Sequence, residues 1–160
     1  MRMLQVVLTL GLILNAPWSH SQSFATGHMT IEHPWARATA KGTSTGVVYL
    51  TIVNNGSTSD KLISVASAVT TSAQVHENKV DADGMMEMSP IDRVDIPAHA
   101  RVDLKPTALH VMLLDLKNPL TYKSTFPMTL SFEKAGTIKV IVTVEKAGAM
   151  TFDSMDGMKM

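Results

Sequence analysis

Short runs of β-branched and apolar residues recur along the chain between turn signals, and no stretch longer than about ten residues keeps a helical period. That pattern predicts an all-β protein. Candidate strands run over Met29 to Arg37, Gly46 to Asn54, Lys61 to Val69, Ala73 to Asn78, Met85 to Val94, Arg101 to Leu104, Ala108 to Leu116, Met128 to Glu133 and Thr137 to Glu145. Asn54-Asn55-Gly56, Asp83-Gly84, Asn118-Pro119 and Ala135-Gly136 supply turn chemistry between them. So many short strands suggest a β-sandwich.

The two ends read differently. Residues 1–25 carry one basic residue, Arg2, then an apolar stretch from Leu4 to Leu14 and a polar run ending in small residues. This is the layout of a secretory signal peptide. The apolar stretch is roughly half of the ~20 residues a spanning helix needs, which argues against a permanent anchor. Cleavage after Ala25 is expected, with Ser21 and Ser23 as alternative positions before the cut. Residues 26–146 then form the domain. From Ala147 the text changes to methionines spaced by small and charged residues, and residues 147–160 are expected to form a flexible Met-rich tail.

At 160 residues the chain is long enough for one domain with a proper core. Lys and Arg number 14 and so do Asp and Glu, and removing residues 1–25 takes away one base, leaving 13 against 14. Such a balance offers no footprint for nucleic acid and no polybasic patch for an anionic membrane. There is no cysteine. Disulfides are therefore excluded and packing must hold the fold, and the residue that would carry a lipid anchor is missing too. A freely soluble, periplasmic protein, monomeric and without a membrane anchor after cleavage, is the expectation.

Without thiols, the soft donors are His and Met. His76, Met88, His110 and Met112 stand out, because imidazole and thioether together favour Cu(I) over cations that prefer oxygen. Residues i and i+2 of a strand share a face, so His110 and Met112 share one and Val111 and Leu113 point to the other, toward the core. Met86 and Met88 share a face as well, while Met85 has the opposite parity and is expected in the core. The polar loop between Asn78 and Met85 lets its flanks return antiparallel, which would bring His76 near Met88. A blue-copper electron-transfer site is excluded, since it requires a cysteine thiolate.

Met88, twenty-one residues, His110-x-Met112, with His76 upstream, resembles the motif of the periplasmic PCuAC copper chaperones, His-x10-Met-x21-His-x-Met. Here eleven residues separate His76 from Met88. The extra residue falls in the turn-rich loop, where insertions are best tolerated, and Met86 becomes a possible substitute ligand. Ile31-Glu32-His33-Pro34-Trp35-Ala36-Arg37-Ala38, Gly46 to Asn55 and Ile96-Pro97-Ala98 agree with the same family. The resemblance implies a cupredoxin-like or immunoglobulin-like Greek-key sandwich that binds Cu(I) through two His and two Met. It also implies delivery toward the Cu(A) centre of cytochrome c oxidase, the copper acceptor being the Cu(A) subunit or a thiol-containing assembly factor.

His28 and Met29 could add a second soft site near the mature N-terminus, and the tail residues Met150, Met155, Met158 and Met160 could capture a second copper ion. Asp81-x-Asp83-Gly84 lacks the later ligands of a calcium loop and reads as a turn. Trp35 is expected as a core aromatic, and Arg37 as a surface ion-pair donor or partner contact. There is no G-x-S-x-G elbow, H-E-x-x-H pair or phosphate-binding glycine loop, so an enzyme is not expected. The competing readings are a copper storage or detoxification protein and a metal-independent exported sandwich that binds proteins through its methionines.

Overall fold

In the computed structural model, residues 22–152 are described. They form eleven strands: β1 (Ser23–Thr26), β2 (Met29–Arg37), β3 (Thr45–Asn54), β4 (Asp60–Ser67), β5 (Thr70–Val80), β6 (Met86–Ile91), β7 (Val94–Ile96), β8 (Arg101–Leu104), β9 (His110–Leu116), β10 (Thr125–Phe132) and β11 (Gly136–Glu145). Alternation drives them: in β11 the side chains of Ile138, Val140, Val142 and Val144 are buried while Lys139 and Ile141 are exposed. A fully buried aliphatic side chain of this size contributes roughly 1.5–3 kcal/mol. With β10 supplying Phe126, Met128, Leu130 and Phe132, and β3 and β9 supplying Val48, Leu50, Ile52, Val111 and Leu113, one continuous core forms.

The strands make one sheet in the order β6-β5-β9-β3-β2-β11-β10-β4-β7, with β1 on β2 and β8 on β3. Pairings are antiparallel except β11 with β2, which run parallel and join the two halves of the sheet at Thr143↔Trp35, Val144↔Ala36 and Glu145↔Arg37. The all-β expectation holds, with differences that have physical causes. The stretch Met85 to Val94 is two strands, because β6 pairs with β5 and β7 with β4 on the far side of the sheet. Strand β5 runs on to Val80, past the expected end at Asn78.

Both ends of the described chain pack on the sheet. Ser23, Phe24, Ala25 and Thr26 pair with Glu32, Ile31, Thr30 and Met29 as β1, so cleavage after Ala25 would cut this strand away. Cleavage after Ser21 would spare it. At the other end, the first residues of the expected tail are seated on the sheet. Arg37 donates from Nε to the Ala149 carbonyl at 2.7 Å and from Nη2 to the Met150 sulfur at 3.0 Å. Phe152 packs on His33 with ring centroids 5.5 Å apart.

A bulge decides where Trp35 goes. Glu32 pairs with Thr51 and Trp35 with Tyr49, so one extra residue is accommodated at His33-Pro34, with His33 at φ 48°. An extra residue flips the side chains beyond it to the other face, and proline within a strand is found at such irregularities. Trp35 is therefore buried as expected, but outside the main core, on the outward face against Tyr49 at 4.7 Å between ring centroids. Arg37 lies over the Tyr49 ring at 5.5 Å while it holds the C-terminal segment.

Candidate metal centre

The register of β6, β5 and β9 places the four donors on one face. His76 pairs directly with His110, Gln74 with Met112, and Asn78 with Met88. Gln74, His76 and Asn78 alternate along β5 and share its outward face, so their partners do too. Met112 and Met88 thus flank the two histidines on opposite sides along the strand direction, each diagonal to His76 and within reach of a long side chain. The hairpin inferred from the loop is present, with residues 81–85 as its turn. There Asp81 accepts hydrogen bonds from the N–H groups of Asp83 and Met85 at 2.9 and 2.8 Å, with Gly84 at φ 80°. On β9, Val111 and Leu113 enter the core as the parity predicts.

The two imidazoles are 5.9 Å apart between centroids, a separation that one ion can bridge with metal–nitrogen bonds of about 2 Å. Each ring has one nitrogen committed and one left over. His110 donates from Nδ1 to the Ala108 carbonyl at 3.0 Å, which leaves a lone pair on Nε2. His76 bonds through Nε2 to Gln74 Oε1 at 3.2 Å; since that oxygen only accepts, Nε2 carries the proton and Nδ1 the lone pair. Those two leftover atoms, His110 Nε2 and His76 Nδ1, are buried and have no hydrogen-bond partner. Buried polar atoms are almost always satisfied, so two unpartnered lone pairs on directly paired histidines can serve as electron donors to an ion. Burial, and then the neighbouring His110, hold the His76 pKa below its ordinary value, which keeps the ring neutral and able to donate its electrons.

Depth varies across the site. His110 is only 3 % exposed, His76 and Met112 are half-buried, and Met88 is 50 % exposed on the sheet edge. On the deep side a row of rings continues across the sheet, with Tyr49 6.5 Å from His110 and Trp35 behind it. Burial raises the Tyr49 pKa, against the opposing pull of Arg37, so its phenol stays neutral. Among the described residues no group of three or more His, Cys, Asp or Glu could hold a metal. The thioethers of Met88 and Met112 share the face of the two histidines, and sulfur beside imidazole suits a soft cation.

The remaining candidates fall elsewhere. Met86 shares the face of Met88 but pairs with Val80, two residues farther from His76 and so about 7 Å farther along the strand. Met85, expected in the core, is 67 % exposed, because it sits in the turn beyond the last pair. Met29 is 2 % exposed and its thioether is part of the core, so it is unavailable to a surface ion. His28 is exposed in the β1–β2 turn, about 20 Å along β2 from Trp35. The sulfur of Met150 lies against the Arg37 guanidinium, whose charge opposes a cation there. Met155, Met158 and Met160 lie outside the described residues. Sequence reasoning did not single out Gln74 or Tyr49, although period 2 puts Gln74 on the face of His76.

Comparison with known proteins bears on the family and the fold. The model of the LpqE-like family, described as "Putative lipoprotein LpqE-like", matches residues 29–144. A relative from Leifsonia xyli subsp. xyli, "Putative lipoprotein Lxx21020", is 30 % identical over 117 residues, 72 % of this chain and 68 % of that protein. Another from Rickettsia prowazekii, "Uncharacterized protein RP573", is 29 % identical over 104 residues, 62 % of this chain and 57 % of that protein. Among solved structures, the copper-bound PCuAC domain from PmoF2 is similar at TM-score 0.68 and 34 % identity, covering 78 % of this chain and 97 % of that one. The Cu(I) form of DR1885 from Deinococcus radiodurans is similar at TM-score 0.58 and 26 % identity, covering 79 % of this chain and 82 % of that one. Its apo form covers 93 % of this chain and 100 % of that one at TM-score 0.60 and 25 % identity. The family match over most of the domain, joined to these structural likenesses, identifies the chain as a member of the LpqE-like family of PCuAC-type domains.

Proposed function

We propose that this protein is an exported copper carrier that holds Cu(I) between His76, His110, Met88 and Met112 and hands it to a thiol-bearing acceptor on the route to the Cu(A) centre of cytochrome c oxidase. The observation that carries the reading is the pair of buried, unpartnered nitrogens on directly paired residues of β5 and β9. Copper in the similar PmoF2 and DR1885 structures supports it.

Each residue has a task in that scheme. Gln74 and the Ala108 carbonyl fix which nitrogen of each imidazole faces the ion, the usual work of groups behind a metal ligand. Tyr49 and Trp35 close the deep side. Met88, the most exposed donor, is where an incoming ligand can substitute first. All four donors are neutral, so a bound Cu(I) keeps its single charge and gains little from the site's electrostatics. Thiolates of an acceptor offer softer, charged ligands and draw the ion away by stepwise exchange. An exported chain processed after Ser21 retains β1, and the periplasm is where such a carrier would meet its acceptor.

The test is an anaerobic Cu(I) titration against a chromophoric chelator. Wild type should take one tight equivalent that a His110→Ala, Met112→Ala double variant loses. Equal competition by both chains, or by neither, would dispose of the site.

A further inference from the structure

The copper face does not stop at its ligands. Seven large apolar side chains are strongly exposed among the described residues, and four of them, Val80, Met85, Met86 and Met88, belong to the end of the β5–β6 hairpin. Val80 and Met86 are 64 % and 60 % exposed and form a cross-strand pair one step beyond Asn78↔Met88, on the same face. The stripe is thus continuous with Met88, yet only Met88 of the four is placed to hold the ion. Strand β6 is also the end of the sheet order, paired on one side only. At the turn that ends the stripe the charge is one-sided, since Asp81 and Asp83 stand there with no basic residue between Val80 and Met88, whereas Glu77, Lys79 and Glu87 have the opposite parity and lie on the other face of the hairpin.

We infer that the β5–β6 hairpin end is the docking surface for the protein that exchanges copper with this one, and that this partner presents apolar side chains with a basic rim beside its thiols. The inference rests on the copper-carrier reading for the purpose of the surface, though the surface itself is defined without the ion. A metal held by direct ligands passes between proteins only when both donor sets touch it, so the partner must cover the edge where Met88 is exposed. Methionine is suited to such a surface because its flexible, polarisable side chain adapts to the shape opposite. The acidic rim selects a basic partner and speeds its encounter, an effect that weakens as salt screens it.

A fluorescent peptide with two cysteines flanked by alternating leucine and lysine, and a counterpart with glutamate in place of lysine, serve as probes. Anisotropy titrations at low salt use the metal-free chain, wild type beside Val80→Ser, Met85→Ser and beside Asp83→Lys. The basic peptide should bind at least tenfold more tightly than the acidic one, the first variant should weaken it severalfold, and the second should abolish or reverse the preference. Equal binding of the two peptides, or binding unchanged in both variants, would overturn the inference. Chelator competition on the same proteins separates the two readings. A chain that docks the basic peptide but holds no Cu(I) removes the carrier function and keeps the surface, whereas one that holds Cu(I) and ignores both hairpin variants removes the surface and keeps the carrier.

Discussion

At the end of β3, Asn54 is buried with its polar atoms engaged: Nδ2 donates to the carbonyls of Thr58 and Pro97 at 2.9 and 3.1 Å, and Oδ1 accepts from the Gly56 N–H at 3.0 Å. Nearby Asp60, also buried, accepts from the N–H groups of Lys61, Lys134 and Ala135 at 2.7, 2.9 and 2.8 Å. Five residues back along β3, roughly 17 Å away, Tyr49 stands beside His110, whose Nε2 has no partner, and His76 beyond it leaves Nδ1 free. Both clusters bury polar groups, but one gives each buried side-chain polar atom a partner in the fold and the other leaves two nitrogens without one. The first arrangement ties β3, β4, β7 and the β10–β11 turn together. The second gives up hydrogen bonds that would have stabilised the metal-free chain, which is sensible only if something else fills them.

The comparison can be broken first at the open cluster. His110→Ala should weaken Cu(I) binding by more than about a hundredfold, since even groups behind a ligand cost 10–100-fold when removed. Chelator competition reads this directly, and a change below tenfold would mean that His110 is not a ligand. At the satisfied cluster, Asp60→Ala should lower unfolding stability by roughly 2–4 kcal/mol, because it strands three backbone donors, and should leave Cu(I) affinity within twofold. Urea denaturation beside the same competition assay measures both. Gln74→Ala should cost about tenfold in Cu(I) affinity and little stability, because the half-buried His76 keeps its place while its tautomer is no longer held.

Titration sharpens the contrast in the metal-free chain. Burial and the neighbouring His110 depress the His76 pKa, so the unfolded chain takes up a proton there first. The contribution of His76 is complete above its unfolded value of ~6.5 and declines as pH falls from there toward the lower folded value. For Asp60, burial alone would raise the pKa, but the three N–H donors and the Lys134 charge outweigh it and the net shift is downward. That contribution is complete above the unfolded carboxylate value of ~3.9 and is lost as pH falls through the folded one. Urea midpoints between pH 8 and 3 should show the two declines in separate windows. His76→Ala should remove only the upper one, and Asp60→Ala only the lower.

Strand periodicity made much of this legible in advance. The parity of Val111 and Leu113 against His110 and Met112, and the hairpin bringing His76 back toward Met88, follow from period 2 and a loop with a glycine in it. The pairing of β9 with β5 does not, because His76 and His110 are 34 residues apart and nothing local sets that register. Trp35 is inside as expected, while its face is set by the one-residue bulge at His33-Pro34, which inverts the alternation. Met29 and Met85 exchanged places for a similar reason: strand ends and turns, not residue type, decide which methionines are buried. Gln74 was missed because its role lies in a hydrogen bond to another side chain. Arg37 is expected as a surface ion-pair donor or partner contact, while its hydrogen bonds go to Ala149 and Met150, more than a hundred positions away.

The most direct measurement of the central claim is X-ray absorption at the copper edge of the Cu(I)-loaded chain, beside its Met112→Ala variant. The account predicts a mixed shell of imidazole nitrogen and sulfur in the wild type, with the sulfur contribution falling by about half in the variant as one of two thioethers leaves. A shell of nitrogen and oxygen alone, or a sulfur contribution unchanged by the substitution, would contradict it.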